Sequence, residues 1–287
     1  MNKNKVNITE CPRDGQQGLP YIIPPEKRAA YINQLMHTGF DTIDFGSFVS
    51  PKAVPQMADT NKVLELIVKE NSSTKLLAIV GNSRGGLEAA NQTKVDVLGF
   101  PYSISNTFLE KNINSNLDKV LATAKDVSTI AKDHNKKLRV YISMAFGNPY
   151  QDEWTETIIK DAVESLVNIG VHTITLSDTV GVGNANTIGK VTESLIPIFP
   201  ETEFGLHLHT HPNDWEAKIE AGWKAGCKNF DGVLNGIGGC PMTGFELLGN
   251  VNTMHLLQWF SNNNIETGVD HKLALNLATQ FSDFSKI

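Results

Sequence analysis

The sequence has no apolar run long enough to cross a membrane. A membrane-spanning helix needs about 20 consecutive, mostly apolar residues. The chain also begins with a polar stretch, Met1 to Lys5, which leads directly into a strand-like segment instead of an apolar signal segment. We therefore expect no membrane partner and no secretory targeting.

Cysteine is scarce, because the chain has only Cys11, Cys227 and Cys240 and no CxxC pair. A small, odd number of cysteines argues against a disulfide framework and favours a reducing, cytoplasmic setting. Cys11 and Cys227 stand beside strand-like segments, where a thiol is usually a small buried hydrophobe.

A basic excess is missing as well, because 25 Lys and Arg face 31 Asp and Glu, which gives a formal net charge of -6. Surfaces that bind nucleic acids usually show a basic excess. We therefore expect no nucleic-acid partner. The hydrophobic fraction of 40% is ordinary for a globular protein and sufficient for a large core.

What the chain does have is a regular alternation of short β-rich runs with longer amphipathic stretches. This pattern predicts a parallel sheet, and eight such units favour a closed (β/α)8 TIM barrel, with 1–287 as a single catalytic domain. The segment after about 262 exceeds the eight units and predicts a C-terminal helical extension. The predicted strands are 6–10, 42–45, 75–80, 95–100, 138–145, 173–176, 202–207 and 229–233. The predicted helices are 24–39, 58–70, 85–91, 117–134, 153–168, 186–198, 214–225 and 245–260.

Polar and reactive residues gather after these strands, where TIM barrels build their active sites. An active site is therefore a better interpretation than a purely structural barrel. The polar residues at the strand ends include Arg13, Asp14, Gln17, Asp44, Ser47, Asn82, Asp178, Thr179, His207 and His209.

The centre of the pattern is His207-Leu208-His209, at the end of the seventh strand. Alternate side chains of a strand share a face, so the two imidazoles could bind one metal ion. An isolated HxH pair is more often a pair of ordinary histidines, so other ligands are needed. Asp14 is the best carboxylate, with Asp178 as its competitor and a turn or capping role as its alternative.

Asn250, beyond the eighth strand, could supply an amide oxygen to the same ion. An oxygen-rich mixed site of this kind favours Mg²⁺ or Mn²⁺, with Zn²⁺ as a further candidate. Arg13 is a cation and cannot be a ligand, so we interpret it as a clamp on a carboxylate or on a developing oxyanion. Cys240 follows Gly236, Gly238 and Gly239, which predicts a mobile loop that carries a thiol to a ligand.

With these residues assembled, the chain resembles the 3-hydroxy-3-methylglutaryl-CoA (HMG-CoA) lyase family, within a wider superfamily of metal-dependent barrel lyases and synthases. The resemblance covers nearly the whole chain. The Arg-Asp-Gly and HxH elements are shared across the superfamily, whereas the Ser-Phe-Val-Ser-Pro-Lys stretch and the Gly-Gly-Cys-Pro loop are more specific to the lyases. The shared stretches are Pro12-Arg13-Asp14-Gly15, Ser47 to Lys52, Val54 to Met57, Lys111 to Asn114, Ser177 to Gly183, the His207/His209 pair and Gly238 to Pro241.

The resemblance implies cleavage of HMG-CoA to acetoacetate and acetyl-CoA, as in leucine breakdown, with a divalent cation. By the same resemblance Arg13 stabilises the enolate product, and Cys240 is the catalytic thiol. Contacts to the acyl-CoA substrate are expected from Arg13, Gln17, Ser47 and Thr179. Barrels of this superfamily are often oligomeric, so a homodimer is expected by analogy. The metal ligands that the resemblance implies are Asp14, His207, His209 and Asn250.

The chain departs from the family pattern at a few positions. Asp44 replaces an expected Glu, which leaves a carboxylate that could position Arg13 with a shorter reach. Thr210 stands where an Asp is usual, and the additional His211 is a competing ligand. Two rival functions remain. One is a related lyase, an aldolase or a Claisen-type synthase that acts on another 3-hydroxyacyl-CoA or a 2-oxo acid, and the other is a non-enzymatic barrel that binds an acyl-CoA or a protein.

Overall fold

The strands form a closed parallel barrel in the order β1 to β8. The architecture is taken from a computed structural model, which describes residues 4–70, 72–239 and 248–284. The predicted (β/α)8 fold is therefore confirmed. The strands are β1 Asn7–Glu10, β2 Thr42–Ser47, β3 Lys75–Ile79, β4 Val97–Ser103, β5 Lys137–Ser143, β6 Thr173–Asp178, β7 Glu203–Leu208 and β8 Asn229–Gly232.

Helices alternate with the strands and surround the barrel. The C-terminal extension is a helix, as predicted, and no helix within the described ranges is long and apolar enough to cross a membrane. The helices are α1 Pro12–Gln17, α2 Pro25–Leu35, α3 Thr60–Leu66, α4 Ser83–Ala90, α5 Asn106–Ile113, α6 Leu117–Asp133, α7 Glu156–Asn168, α8 Ala185–Leu195, α9 Trp215–Lys224, α10 Thr253–Asn262 and α11 His271–Phe284.

Three local predictions are corrected by the structure. The segment after β1 lies outside the predicted helices, but it forms α1, which starts at Pro12 because the fixed φ of proline suits the first helical position. The loop after β4 contains α5, capped by the Ser105 hydroxyl, which accepts a hydrogen bond from Phe108 N. A helix is predicted over 245–260, yet the described residues 248–252 are not helical and α10 starts at Thr253.

The helix-facing side of the strands is largely apolar and buried, with the buried Glu10 of β1 as a polar exception. Ile43, Val140 and Ile174 each show no exposed surface. Leu206 points toward α9, because a Cβ added to Gly222 of that helix would lie 2.2 Å from the Leu206 Cδ1 atom. This packing of strands against helices forms the main hydrophobic core of the protein.

The lumen-facing side is polar on the strands that carry the site. The guanidinium of Arg139, on β5, donates to the Thr9 hydroxyl on β1 at 2.9 Å and to Asp231 on β8 at 3.4 Å. These contacts cross the inside of the barrel. Buried ionic groups of this kind require partners, and the Arg139 network supplies them below the mouth of the barrel.

Candidate active site

The first functional segment is α1, which stands directly on the end of β1. The Arg13 Nη1 atom donates to Asp14 Oδ1 at 3.0 Å and to Gln17 Oε1 at 2.8 Å. Gln17 Nε2 in turn donates to the same Asp14 oxygen at 2.7 Å. Residues three and four positions apart lie on the same face of a helical turn, so Gln17 can contact both Asp14 and Arg13. The structure therefore brings together Arg13, Asp14 and Gln17, three of the site residues predicted from the sequence.

Asp44, near the end of β2, holds the other edge of the Arg13 guanidinium. The Nη2 atom of Arg13 lies 2.5 Å from Asp44 Oδ2, and its Nε atom lies 3.0 Å from the same oxygen. Burial acts to lower the pKa of Arg13, but the charges of Asp44 and Asp14 raise it well above its usual value. Arg13 is thus a permanent cation whose plane is fixed by a bidentate partner.

His207 points into the barrel and is held by a buried carboxylate. Its Nδ1 atom lies 3.3 Å from Asp231 Oδ2 on β8, and its Nε2 atom lies 4.0 Å from Asp14 Oδ2. The ring of Tyr141 packs edge-on against the imidazole, with 6.0 Å between the centroids. A carboxylate on one ring nitrogen orients a histidine so that the other nitrogen can bind a metal ion.

The protonation of His207 depends on opposing effects. Burial acts to lower the pKa of this imidazole. The hydrogen bond to Asp231 and the charge of Asp14 outweigh burial, so the pKa of His207 lies above its ordinary value. The surroundings of His207 therefore favour positive charge at this position, which a bound cation would also provide.

His209 follows β7 and is almost completely buried, with 3% of its surface exposed. Burial and, to a smaller extent, the neighbouring His207 together lower the pKa of His209 to about 4. The backbone of Thr179 forms a hydrogen bond with the ring. His209 is therefore neutral near pH 7, which is the form that binds metals.

Asp14, His207 and His209 offer three ligand atoms that all lie within 4.8 Å of one another. Carboxylate oxygen and neutral imidazole nitrogen are donors that divalent cations accept, so the chemistry of the three residues fits such an ion. The other two candidate ligands from the sequence, Asp178 and His211, lie outside this cluster. Asp178 is bound to the ammonium of Lys218 at 3.0 Å, and His211 is exposed outside the cluster.

Asn250 is also brought to this cluster, since its backbone forms an antiparallel bridge with His209. Its side-chain nitrogen donates to Asp14 Oδ2 at 2.6 Å and to the Ile237 carbonyl at 3.1 Å. A ligand would present the amide oxygen instead. The structure thus places Asn250 beside the cluster but turns its nitrogen toward Asp14, so its role as a ligand stays a prediction.

Ser47 and Thr179 lie at the mouth, but both hydroxyls are bonded to the backbone. Ser47 Oγ accepts from Val49 N at 3.2 Å, and Thr179 Oγ1 accepts from Met144 N at 3.1 Å. Ser47 also borders a cavity of about 240 Å³ between the ends of β2 and β3, together with Asn82 and Arg84. Their predicted contacts to substrate stay predictions.

The glycine loop after β8 reaches the cluster from the other side. Gly238 and Gly239 have φ values of 95° and 120°, which favour glycine. A Cβ on Gly238 would lie 2.7 Å from the Asp14 carbonyl oxygen, so the close approach of this loop to α1 also requires glycine. Cys240 itself falls in 240–247, outside the described residues, and its role stays a prediction.

Two residues with contacts to the cluster were missed from the sequence, namely Asp231 and Lys218. The sequence pattern places Asp231 only within the predicted strand 229–233. A signal was present, because an Asp between Phe230 and Gly232 in a short apolar strand must have a buried partner. Lys218 lies in an amphipathic helix, where a lysine predicts a solvated face, yet it is only 1% exposed.

Comparisons with known proteins agree with this geometry. The HMGL-like family model matches residues 6–280. The chain is 34% identical to "Hydroxymethylglutaryl-CoA lyase YngG" of Bacillus subtilis, over 96% of this chain and 91% of that one. It is 28% identical to the (R)-citramalyl-CoA lyase of Chloroflexus aurantiacus, over 92% of this chain and 85% of that one.

Solved structures show the same likeness. An HMG-CoA lyase from Acinetobacter baumannii, in complex with coenzyme A and 3-methylmalate, superposes with a TM-score of 0.93 at 26% identity. The superposition covers 99% of this chain and 92% of that one. With its family model matched over almost its whole length, the chain belongs to the HMGL-like family.

Proposed function

We propose that this protein is a carbon–carbon lyase that cleaves HMG-CoA to acetoacetate and acetyl-CoA with the help of a divalent cation. The observation that carries the proposal is the cluster of Asp14, His207 and His209 beside the Arg13 guanidinium, at the mouth where TIM barrels carry their active sites. The relative from Bacillus subtilis, which is named for this activity, supports it.

The reaction breaks a carbon–carbon bond next to a tertiary alcohol. The hydroxyl must lose its proton, and the leaving fragment must be stabilised as the enolate of a thioester. A divalent cation, when bound, lowers the pKa of a coordinated hydroxyl and holds the substrate in register. The residues that would hold the cation are Asp14, His207 and His209, with Asn250 as a fourth ligand if its amide oxygen turns inward. We expect Mg²⁺ or Mn²⁺ at this mixed site of oxygen and imidazole donors.

Arg13 would stabilise the charge that develops on the thioester oxygen. Its Nε and Nη2 atoms are held by Asp44, and its Nη1 atom contacts Gln17 and Asp14. The plane of the guanidinium is thus fixed before the substrate arrives, so little reorganisation is needed as the bond breaks. Gln17 is the partner that a substrate oxygen could replace, because the Gln17 carbonyl is a neutral acceptor.

Cys240 is proposed as the group that carries a proton to or from the reacting carbon. It follows glycines that bring the backbone close to Asp14, which supports a thiol near the cluster. This role would distinguish the enzyme from aldolases and synthases, which have no evident need for a thiol here.

The CoA portion is proposed to lie over the cavity that Ser47, Asn82 and Arg84 border. The cavity adjoins the end of β2, only a few residues after Asp44, so a thioester at Arg13 could extend into it. The coenzyme A bound by the Acinetobacter baumannii protein supports an acyl-CoA substrate. We further propose a homodimer acting in the cytoplasm, with 1–287 as one catalytic domain.

The test is to incubate the purified protein with Mn²⁺ or Mg²⁺, a thiol reductant and HMG-CoA, and to measure acetoacetate. Formation of acetoacetate that stops on chelation is expected. Metal-dependent cleavage of (R)-citramalyl-CoA without acetoacetate formation from HMG-CoA would instead indicate a citramalyl-CoA lyase, an alternative that the Chloroflexus aurantiacus relative supports. Cleavage of neither thioester would contradict the lyase proposal.

Cys240→Ala is the matched variant for the proposed thiol. We expect it to lose turnover while it keeps its affinity for Mn²⁺. Cys227→Ala serves as its control, because Cys227 is buried, and burial raises the pKa of its thiol to about 12. Unchanged turnover in Cys240→Ala would refute the role of the thiol.

A further inference from the structure

Lys218 is a buried lysine next to the candidate site, and the chemistry proposed above does not use it. It lies on α9 with 1% of its surface exposed. Its ammonium lies 3.0 Å from Asp178 Oδ2, 3.2 Å from Asp214 Oδ2 and 3.0 Å from the carbonyl oxygen of His209. A lysine is almost never buried to this extent unless its charge is fully paired.

The partners of this ammonium belong to elements that are separate in the sequence. Asp178 ends β6, His209 follows β7, and Asp214 directly precedes α9. A fourth oxygen, the Gly181 carbonyl, lies 3.5 Å from the ammonium. Lys218 therefore joins the turn 178–181, the residue after β7 and its own helix at one point.

The turn 178–181 is held from within as well. Gly181 N donates to the Asp178 carbonyl at 3.1 Å, and Gly183 N donates to Asp178 Oδ1 at 3.0 Å. Inside this turn lies Thr179, whose backbone forms the hydrogen bond with the His209 ring. The Lys218 ammonium thus contacts both ends of the turn that holds the His209 ring. It also contacts the main chain of His209 itself.

We propose that Lys218 is a positioning residue that fixes the orientation of the His209 imidazole toward Asp14 and His207. A histidine that donates one ring N–H to a backbone carbonyl has its lone pair on the other nitrogen. Lys218 holds the turn and the His209 carbonyl in fixed relative positions. It thereby selects that tautomer of His209 and directs the lone pair of the imidazole toward Asp14 and His207. The inference rests on the proposed metal-dependent function, in which His209 is a ligand of the cation.

A reactive role for Lys218 does not fit the geometry. Its ammonium is surrounded by carboxylate and carbonyl oxygens and is shielded from solvent. A lysine nucleophile needs a neutral amine with access to the substrate. The alternative to be separated is therefore a purely structural ion pair that holds α9 against the barrel.

The test compares Lys218→Met with Lys224→Met. Lys224 lies on the same helix and pairs with Glu220 at 2.6 Å, but its side chain is 71% exposed. We expect Lys218→Met to bind Mn²⁺ about 10- to 100-fold more weakly, as measured by the resonance signal of the free ion, because it loosens a partner of a ligand. Lys224→Met should bind Mn²⁺ like the wild type.

A second readout needs neither metal nor substrate. Long-range proton–nitrogen spectra of the metal-free protein report which ring nitrogen of His209 carries the proton. We expect one tautomer in the wild type and in Lys224→Met, and a mixture in Lys218→Met. Lys218→Met leaves Asp178 without its ammonium partner and could fail to fold. In that event the double variant Asp178→Asn/Lys218→Met, which removes both charges together, is tested by the same two measurements.

The outcomes separate the two proposals. Weaker Mn²⁺ binding and a mixed tautomer in the folded variant support positioning, even if HMG-CoA proves not to be the substrate. A folded variant with lower stability, wild-type Mn²⁺ affinity and one tautomer would overturn the positioning role and leave a structural ion pair. If the acyl-CoA assays fail while Lys218→Met shows the expected weaker Mn²⁺ binding and mixed tautomers, the result counts only against the lyase proposal.

Discussion

The two faces of the barrel strands differ sharply where β7 and β8 meet. Toward the helices the strands present Leu206 and Phe230, which are about 1% exposed and pack on α9. Toward the lumen the adjacent residues of the same strands are His207 and Asp231. The His207 Nδ1 atom lies 3.3 Å from Asp231, and its Nε2 atom lies 4.0 Å from Asp14. Neighbouring residues in one strand therefore serve different purposes.

The comparison shows where stability and chemistry are divided. The outward face buries apolar surface, which contributes about 25 cal/mol per Å² to folding. The lumen face carries buried charges that cost desolvation energy and are kept in place by their partners. Variants of the lumen face should therefore lose metal binding and turnover, whereas variants of the outward face should lower stability while the folded molecules keep both.

The largest effect is expected for His207→Ala. It removes a candidate ligand, so turnover should fall on the order of 10³-fold or more, because the Lewis acidity of a divalent cation contributes several kcal/mol to the transition state. Bound Mn²⁺ should be lost as well, as measured by metal analysis after gel filtration.

Leu206→Ala is the matched variant on the other face, one position away. It should lower the free energy of unfolding by about 2–5 kcal/mol while the folded molecules keep their turnover. Urea unfolding combined with the lyase assay checks both. A Leu206→Ala protein that stays stable but loses Mn²⁺ would show that the two faces are not separate in function.

The next effect is expected for Arg13→Lys. Lysine keeps the charge but has no planar fork to bond Asp44 and an oxyanion together, so kcat should fall about 10²- to 10³-fold. Mn²⁺ affinity should change only a few-fold. Steady-state kinetics and a Mn²⁺ titration distinguish these results, and wild-type kcat would remove Arg13 from the chemistry.

A smaller effect is expected for Asp231→Asn. The amide cannot supply the charge that orients His207 from below, so Mn²⁺ affinity should fall about 10- to 100-fold. Calorimetric titration with Mn²⁺ measures this change. Asp126→Asn, at an exposed carboxylate of α6, is the control and should leave the affinity unchanged. Equal affinities in both variants would contradict the orienting role of Asp231.

The smallest effect on activity is expected for Glu10→Gln, which tests a polar exception on the outward face. Glu10 accepts a hydrogen bond from Leu234 N at 2.8 Å, and its other oxygen lies 2.5 Å from the Thr253 hydroxyl. Burial raises the pKa of Glu10 from 4.5 to about 8. Glu10 is thus neutral in the folded protein near pH 7 and ionised in the unfolded chain.

The sign of the pH effect follows from this raised pKa. The unfolded chain releases the Glu10 proton above pH 4.5, so the stability present below that pH is lost as the pH rises toward about 8. Relative to wild type, Glu10→Gln should gain about 3–5 kcal/mol of unfolding free energy between these limits, at unchanged kcat. Parallel pH profiles of the two proteins in urea unfolding would contradict the neutral state of Glu10.

Much of the site could be predicted from particular residues. Arg13, Asp14, Gln17, His207 and His209 do meet, because the ends of parallel strands in a closed barrel all open at one mouth. The hydroxyls of Ser47 and Thr179 could not be assigned in this way, because the sequence does not show that the backbone at Val49 and Met144 already occupies them.

The sequence by itself determined the barrel, because the alternation of strand and helix periods and the turn chemistry are local properties of the chain. It also determined which residues stand at the strand ends. Only the tertiary structure decided how these residues are held. His207 meets Asp231 and Lys218 meets Asp178 across 24 and 40 positions of sequence. Such contacts depend on the closure of the barrel and on burial, which no local pattern specifies.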